Sequence, residues 1–194
     1  MYHMLHWFYC LPVPGLLIGI ISVTAFFLWF RENYRATRFW RPTMWGLFLF
    51  VLAVILYATL GHRSEYGNRM EPQLIPLYSY YLVLHGGNPE IFRSNFMNVL
   101  LFCPIGLLGC ELLPRECNFP RKLLAAFAGG ILLGVTIEYC QYSLALGLAE
   151  TDDVIHNTTG ALLGALASEI SLNKLVQQIH LWIPGAQRLS DKQK

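Results

Sequence analysis

Residues 123–148 read LLAAFAGGILLGVTIEYCQYSLALGL, an apolar run that holds one acidic side chain, Glu138, and no basic one. A helix that crosses the hydrocarbon core of a membrane needs about 20 mainly apolar residues. The run exceeds that length. In lipid, the backbone polar groups have to be satisfied within the segment, which favours a helix over a strand. The run therefore predicts a transmembrane helix that is long enough to tilt.

Four further apolar runs flank the first one along the chain. They cover residues 13–30, 43–60, 95–113 and 154–170, and the last keeps its apolar character as far as residue 176. The sequence thus predicts an all-α fold, a polytopic membrane helix bundle with about five transmembrane helices. In this interpretation residues 1–176 form the transmembrane domain and residues 177–194 form a short cytoplasmic tail.

The composition agrees with a membrane protein and excludes several other classes. Of the 194 residues, 55% are hydrophobic and only 13% are charged, and the mean hydropathy is +0.42. Ordinary soluble domains carry about 25% charged residues. So few charges cannot cover a water-facing surface, which excludes a soluble enzyme, a nucleic-acid binder and a disordered tail. The net charge of +2 is too small to indicate a polyanionic partner.

The basic residues predict an orientation in the membrane. Eleven of the fourteen lie in the loop after residues 13–30, in the loop before residues 123–148 and in the C-terminal tail. With five spans, these three regions fall on the same side of the membrane. The other side holds only Arg63, Arg69 and Arg93, together with six acidic residues. Because cytoplasmic loops carry the excess of Lys and Arg, we expect the N-terminus outside and the C-terminus inside.

Polar residues interrupt the apolar run of residues 123–148. Glu138 and Gln141 lie three residues apart and share a helix face. An ionisable residue inside a span is costly and points to a function. Gly130 and Gly134 precede Glu138 on the same face, and small residues let a neighbouring helix approach closely. We therefore expect this face to point into the bundle rather than at lipid.

The last predicted span carries a stripe of polar and small residues at helical spacing. The stripe consists of Asp153, Asn157, Gly160, Gly164 and Ser168. Asp153 suits an N-cap or first-turn position, where a carboxylate is favourable. The pattern predicts a packing seam with a polar outer end.

The predicted topology brings these polar side chains to a similar depth near the outer face. The candidate ligand-binding residues are Asn98, Glu138, Gln141, Asp153 and Asn157. Arg63, directly after the second span, is a further candidate as a phosphate contact, with a solvated helix end as its alternative. For the others, the alternative is that each satisfies a neighbour and only holds the bundle together.

Catalytic residues, metals and cofactors are not predicted. The five cysteines are odd in number and form no CxxC pair. No HExxH or similar spacing supports a metal site, and Ser143 and Ser168 lack a plausible His–Asp pairing.

Three short motifs follow one another along the chain at characteristic spacings. Residues 98–106 read NVLLFCPIG, residues 137–141 read IEYCQ and residues 152–160 read DDVIHNTTG. With YATLGHR at residues 57–63 and LIP at residues 74–76, they resemble the VanZ-like family of bacterial membrane proteins over residues 45–170. The resemblance implies a multi-pass protein of the bacterial cytoplasmic membrane. The founding member of the family is linked to low-level resistance to the glycopeptide teicoplanin.

The leading functional hypothesis is a cell-envelope protein that binds or modulates an envelope lipid or a cell-wall precursor at the outer face. Its partners would be a membrane lipid or a lipid-linked precursor, with a second copy or another membrane protein as a further partner, and no nucleic acid. One alternative is a small proton-coupled transporter that uses Glu138. Another is a membrane-embedded hydrolase or transferase that uses Glu138 and Asp153 as an acid/base pair.

Overall fold

A computed structural model describes residues 13–61, 71–86 and 89–171 of the chain. These residues form six helices: α1 (Val13–Tyr34), α2 (Trp40–Leu60), α3 (Tyr78–Gly86), α4 (Pro89–Leu112), α5 (Phe119–Ser143) and α6 (Thr151–Ser168). Every named element of the described residues is a helix, which confirms the predicted all-α class. An isolated backbone bridge joins Gln73 to Glu150.

Three stretches in these helices are long and apolar enough to cross a membrane: Trp40–Leu60, Glu90–Leu112 and Phe119–Ser143. They coincide with the second, third and fourth predicted spans. Helices α1 and α6 coincide with the first and fifth predicted spans. The count of five spans and the orientation stay predictions, because length and composition settle neither.

Several helix ends differ from the predicted spans, and local hydrogen bonding explains the clearest case. Helix α5 ends at Ser143 and not at residue 148. The N–H of Leu144 bonds back to the carbonyl of Cys140, and Ala145 takes a left-handed φ of 51°, which turns the chain out of the helix. The N–H of Leu146 then returns to the carbonyl of Gln141 at 2.8 Å. Residues 144–150 thus form a connection that approaches α3.

Helix starts also lie earlier than predicted. Helix α4 begins at Pro89, six residues before the apolar run, with Glu90 in its first turn. Helix α5 begins at Phe119, where the side chain of Asn118 accepts from the backbone N–H of Arg121 at 3.2 Å. Proline and a capping amide are typical of helix starts, and neither needs an apolar environment.

The chain divides into two compact units. In the first, α1 is tied to the residues that follow α6, because Arg31 donates to the carbonyl of Ile170 and Ser171 donates to Glu32 at 2.9 Å. The second unit contains the described residues of 41–169. Its apolar core joins α2, α4 and α5 through Ile55, Phe102, Ile105 and Ile137, which are almost fully buried.

Helix α6 packs against both α4 and α5 in the second unit, and glycines set how closely. A methyl group at Gly160 would overlap the carbonyl oxygen of Val99, and one at Gly164 would overlap that of Cys103. On α5, a methyl group at Gly130 would lie 2.9 Å from the Cα of Thr158. The predicted packing seam on α6 and the inward direction of the α5 glycine face are confirmed.

Candidate functional site

The short helix α3 is held at its start by a carboxylate from α6. Asp152 is 3% exposed and accepts hydrogen bonds from the backbone N–H groups of Leu77 and Ser79, the latter at 2.8 Å, and from the hydroxyl of Ser79 at 2.5 Å. The first N–H groups of a helix have no partner within the helix. Asp152 thus supplies from a distant part of the chain the acceptor that a capping residue usually supplies locally.

A third helix joins the same network. The amide Nδ2 of Asn95, in the second turn of α4, donates to the hydroxyl oxygen of Ser79 at 2.9 Å. Ser79 and Asn95 are both buried. Since buried polar groups are costly unless they are paired, this chain of bonds fixes α3 against the ends of α4 and α6.

The connection between α5 and α6 is fixed from two sides. The N–H of Gln73 donates to the carbonyl of Ala149 at 2.9 Å, and the N–H of Thr151 donates to the carbonyl of Gln73 at 3.0 Å. From α5, the carboxylate of Glu138 accepts from the backbone N–H of Glu150 at 2.8 Å. Glu138 therefore positions the residue that precedes α6.

These contacts frame a cleft of about 350 Å³ between α3, the first turns of α4 and the start of α6. The lining residues are Gln73, Tyr78, Ser79, Leu82, Ile91, Ser94, Asn95, Leu148, Glu150, Asp152 and Asp153. Three of them are carboxylates and four are neutral hydrogen-bonding side chains, not counting the tyrosine. We call this space the acidic cleft.

One predicted pair of site residues comes together beside this cleft. The amide of Asn98 on α4 donates to Asp153 Oδ1 at 2.8 Å. Asp153 is half-buried and lines the acidic cleft. An ionised carboxylate offers about four acceptor positions, so Asp153 can accept from a bound molecule in addition to Asn98.

The other predicted site residues do not converge on the cleft. Gln141 is 1% exposed and its amide donates to the carbonyl of Thr59 on α2 at 3.2 Å, which makes it a contact between helices. Asn157 is buried and packs against α5, where a methyl group added to Gly134 would lie 3.6 Å from its Cβ. Glu138 acts through the backbone of Glu150, as described above. Arg63 lies outside the described residues.

The sequence interpretation gave too little weight to Asp152, Ser79 and Asn95. Adjacent aspartates at a helix start both look like surface residues, because that position favours carboxylates whether or not they are buried. A second missed contact joins Tyr80 to His156, whose Nε2 lies 3.0 Å from the tyrosine hydroxyl. His156 is 3% exposed. The clustering of tyrosines at residues 78–81 was the available signal, but it did not indicate their partners.

The helices and the acidic cleft together define the class of protein. It is a membrane protein whose described elements are all helices, and in which a short helix and the starts of two longer helices line an acidic cleft. The sequence model of the VanZ/LLP1 family matches residues 17–172. The chain therefore belongs to the VanZ/LLP1 family.

Among individual proteins, the chain is similar to Protein VanZ of Enterococcus faecium. The two are 38% identical over 74 residues, which are 38% of this chain and 42% of that protein. The similarity thus covers less than half of each sequence. No solved structure matches the chain.

Proposed function

We propose that the protein binds the headgroup of an envelope lipid or of a lipid-linked cell-wall precursor in the acidic cleft. The observation that carries this proposal is the cleft itself, a space of about 350 Å³ that is lined by Asp152, Asp153, Asn95 and Ser79. Sites for small molecules combine a concave space with a few convergent polar groups. The apolar lining by Leu82 and Ile91 suits a ligand with a lipid part.

The proposed side of the membrane is the outer face of the bacterial cytoplasmic membrane. The cleft lies where α4 and α6 begin and α5 ends, whereas Arg115, Arg121 and Lys122 lie at the opposite ends of α4 and α5. The positive-inside rule assigns those basic residues to the cytoplasm. Headgroups and cell-wall precursors of the outer leaflet would then reach the cleft.

The charge of the cleft supports a particular kind of ligand. Three carboxylates line it, those of Glu150, Asp152 and Asp153, and none of the described residues that line it is a lysine or an arginine. Like charges placed close together repel, so a bare phosphate is disfavoured there. Hydroxyl, amide and ammonium groups can donate to Asp153. The sugar and peptide portions of a cell-wall precursor carry such groups.

Binding of a cell-wall precursor would give resistance to a glycopeptide if the bound precursor became less accessible to the drug. This part of the proposal comes from the resemblance of the chain to the VanZ-like family, and from its similarity to Protein VanZ of Enterococcus faecium. Expression of the chain in a teicoplanin-susceptible bacterium tests it. We expect a raised inhibitory concentration that is lost in Asp153→Asn, and an unchanged inhibitory concentration would contradict it.

Direct binding is the main test of the proposed function. The full chain in lipid nanodiscs is titrated with a lipid-linked disaccharide-pentapeptide, with undecaprenyl phosphate as the comparison. We expect the precursor to bind more tightly, and Asp153→Asn and Asn98→Ala to weaken it about tenfold, the equivalent of about 1.4 kcal/mol. Glu116→Gln, in the exposed loop after α4, is the matched control and leaves binding unchanged. Equal binding by all variants, with the fold intact, would place the ligand elsewhere.

A further inference from the structure

The segment that contains α3 turns an apolar surface away from the protein. The exposed fractions are 69% for Leu74, 61% for Ile75, 56% for Leu77 and 80% for Leu84. We call these four residues the apolar rim. Single exposed apolar residues are ordinary, but Leu74, Ile75 and Leu77 are close neighbours in the chain, and a group of exposed apolar residues marks an interaction surface.

Contacts between the segment and the rest of the protein keep the apolar rim pointing outward. The segment is fixed at Gln73 by its backbone bridge to Glu150, and at Ser79 by bonds to Asp152 and Asn95. Leu77, between these two points, has a left-handed φ of 62°, and its N–H is bound by Asp152. Rotation of the rim towards the protein would break this whole set of bonds.

The depth of the rim follows from the span that α3 packs against. The candidate span Glu90–Leu112 has 23 residues. At 1.5 Å per residue it is about 34 Å long, slightly more than the hydrocarbon core of about 30 Å. Asn95, which bonds to Ser79 of α3, is five residues after Glu90, or about 7 Å along the axis. Helix α3 therefore lies close to the boundary between headgroups and acyl chains.

The surroundings of α3 agree with that depth. The rings of Tyr78 and Tyr81 stack with centroids 6.0 Å apart, and those of Tyr81 and His85 with centroids 4.2 Å apart. Tyrosine is enriched at the membrane–water interface. On the same turns of α4, Phe92 and Phe96 are exposed. A spanning α4 has to place these two rings in lipid.

We infer that residues 74–84 form a membrane-surface element whose apolar rim is embedded in bilayer lipid at the headgroup boundary. Its occupant is phospholipid and not a protein partner, because the rim lies at the depth of Phe92 and Phe96 on a candidate membrane span. Helix α3 has nine residues, too few to span the membrane, so it lies on the surface of the bilayer. The position of the apolar rim in lipid does not depend on what binds in the acidic cleft.

Photocrosslinking identifies the occupant directly. A diazirine amino acid replaces Ile75 or Leu84 in the full chain, in nanodiscs of phosphatidylglycerol and phosphatidylethanolamine. The carbene inserts into whatever it contacts, and mass spectrometry distinguishes a lipid adduct, a water adduct and a cross-linked protein. Position 132 on α5, where Leu132 is 71% exposed, is the lipid control, and position 116 in the exposed loop is the water control.

We expect the yield of lipid adduct at positions 75 and 84 to lie within about twofold of that at position 132. Water adducts at both positions would show that the segment lies in solution, and would overturn the inference. Protein cross-links at both would overturn it in favour of a second copy or another membrane protein. Both side chains point outward, so neither replacement disturbs the core, and the two positions check each other.

Discussion

The middle and the cleft end of helix α6 are packed in opposite ways. In the middle, Gly160 and Gly164 bring α6 against the backbone of α4, and the absence of side chains makes the contact possible. At the cleft end, Asp152 and Asp153 reach across to α3 and α4 through hydrogen bonds. Close packing of backbones holds the middle of α6, and hydrogen bonds hold its cleft end.

This contrast shows how one helix can combine a rigid position with an adaptable end. Backbones in direct contact cannot separate or slide without losing all of their packing. At the cleft end, the half-buried carboxylate of Asp153 can exchange partners with a ligand or with water at a smaller cost. Substitutions in the middle should therefore affect the fold, whereas substitutions at the end should affect α3 and binding.

The largest effect is expected from Gly164→Ala. The added methyl group meets the carbonyl oxygen of Cys103 on α4, so α4 and α6 have to move apart. We expect a loss of about 3 kcal/mol in unfolding free energy, the upper part of the usual range for overpacking. Denaturant unfolding of the protein in detergent micelles measures it.

The matched control for this substitution is Gly129→Ala on α5. A methyl group there meets nothing within 4 Å, and alanine has the better helix propensity by about 1 kcal/mol. Stability equal to or above that of the native chain is expected. If both variants lost stability to the same extent, close backbone contact would not be what holds the middle of α6.

A smaller, local effect is expected from Asp152→Ala. The change leaves the N–H groups of Leu77 and Ser79 and the hydroxyl of Ser79 without their acceptor. Because a hydrogen bond to a charged group contributes about 1.5–3 kcal/mol, and the freed groups of a helix start can bond to water instead, we expect the protection of residues 77–80 against hydrogen exchange to fall by about 2 kcal/mol. Protection of α4 and α5 should be retained. Asp153→Ala is the neighbouring control, and equal loss of protection in both variants would contradict a specific role for Asp152.

The third effect concerns the polar contact between α5 and α2. Gln141→Leu removes one hydrogen bond to Thr59 together with a buried carbonyl oxygen, Oε1, that has no partner among the described residues. Loss of the hydrogen bond lowers the free energy of unfolding, whereas removal of the unpaired oxygen raises it. We therefore expect a net loss of only about 1 kcal/mol in the free energy of unfolding. Thermal unfolding monitored by circular dichroism measures the difference. A loss above about 2 kcal/mol would mean that Oε1 is satisfied, for example by bound water.

The smallest effect is expected at the other end of α6. Lys122 and Glu169 form an ion pair at 2.6 Å, with side-chain exposures of 14% and 42%. Pairs that reach solvent contribute about 0.2–1 kcal/mol. A double-mutant cycle with Lys122→Met and Glu169→Gln should give a coupling energy of about 0.5 kcal/mol that falls as salt is added. A larger coupling that salt does not affect would make this end as important as the cleft end.

The long helices could be predicted from the sequence because lipid solvation leaves few choices for an apolar run of this length. The glycine face of α5 and the seam of α6 followed in the same way from helical spacing. Helix α3 was not predicted as a helix. It has nine residues, and isolated helices of that length are marginal. Its helical form depends on Asp152, which lies far away in the sequence.

The candidate site was predictable only in part, for a similar reason. Asn98 and Asp153 were expected at one depth, and a 2.8 Å hydrogen bond joins them. Gln141 was expected in the same pocket but turns to α2. Spacing along a helix shows which residues share a face, but not which neighbour that face meets. The choice between Asp152 and Asp153 depended on the position of α3, which the sequence pattern did not contain.

The bond between Ser79 and Asp152 has a consequence for biosynthesis. The two residues are 73 positions apart in the chain. At a synthesis rate of about 5–20 residues per second, roughly 4–15 s pass between the appearance of α3 and that of its capping carboxylate. During this interval the start of α3 has neither Asp152 nor the bridge to Glu150. The nascent chain therefore leaves the ribosome with the start of α3 uncapped, and the cleft is complete only once the beginning of α6 has been synthesised.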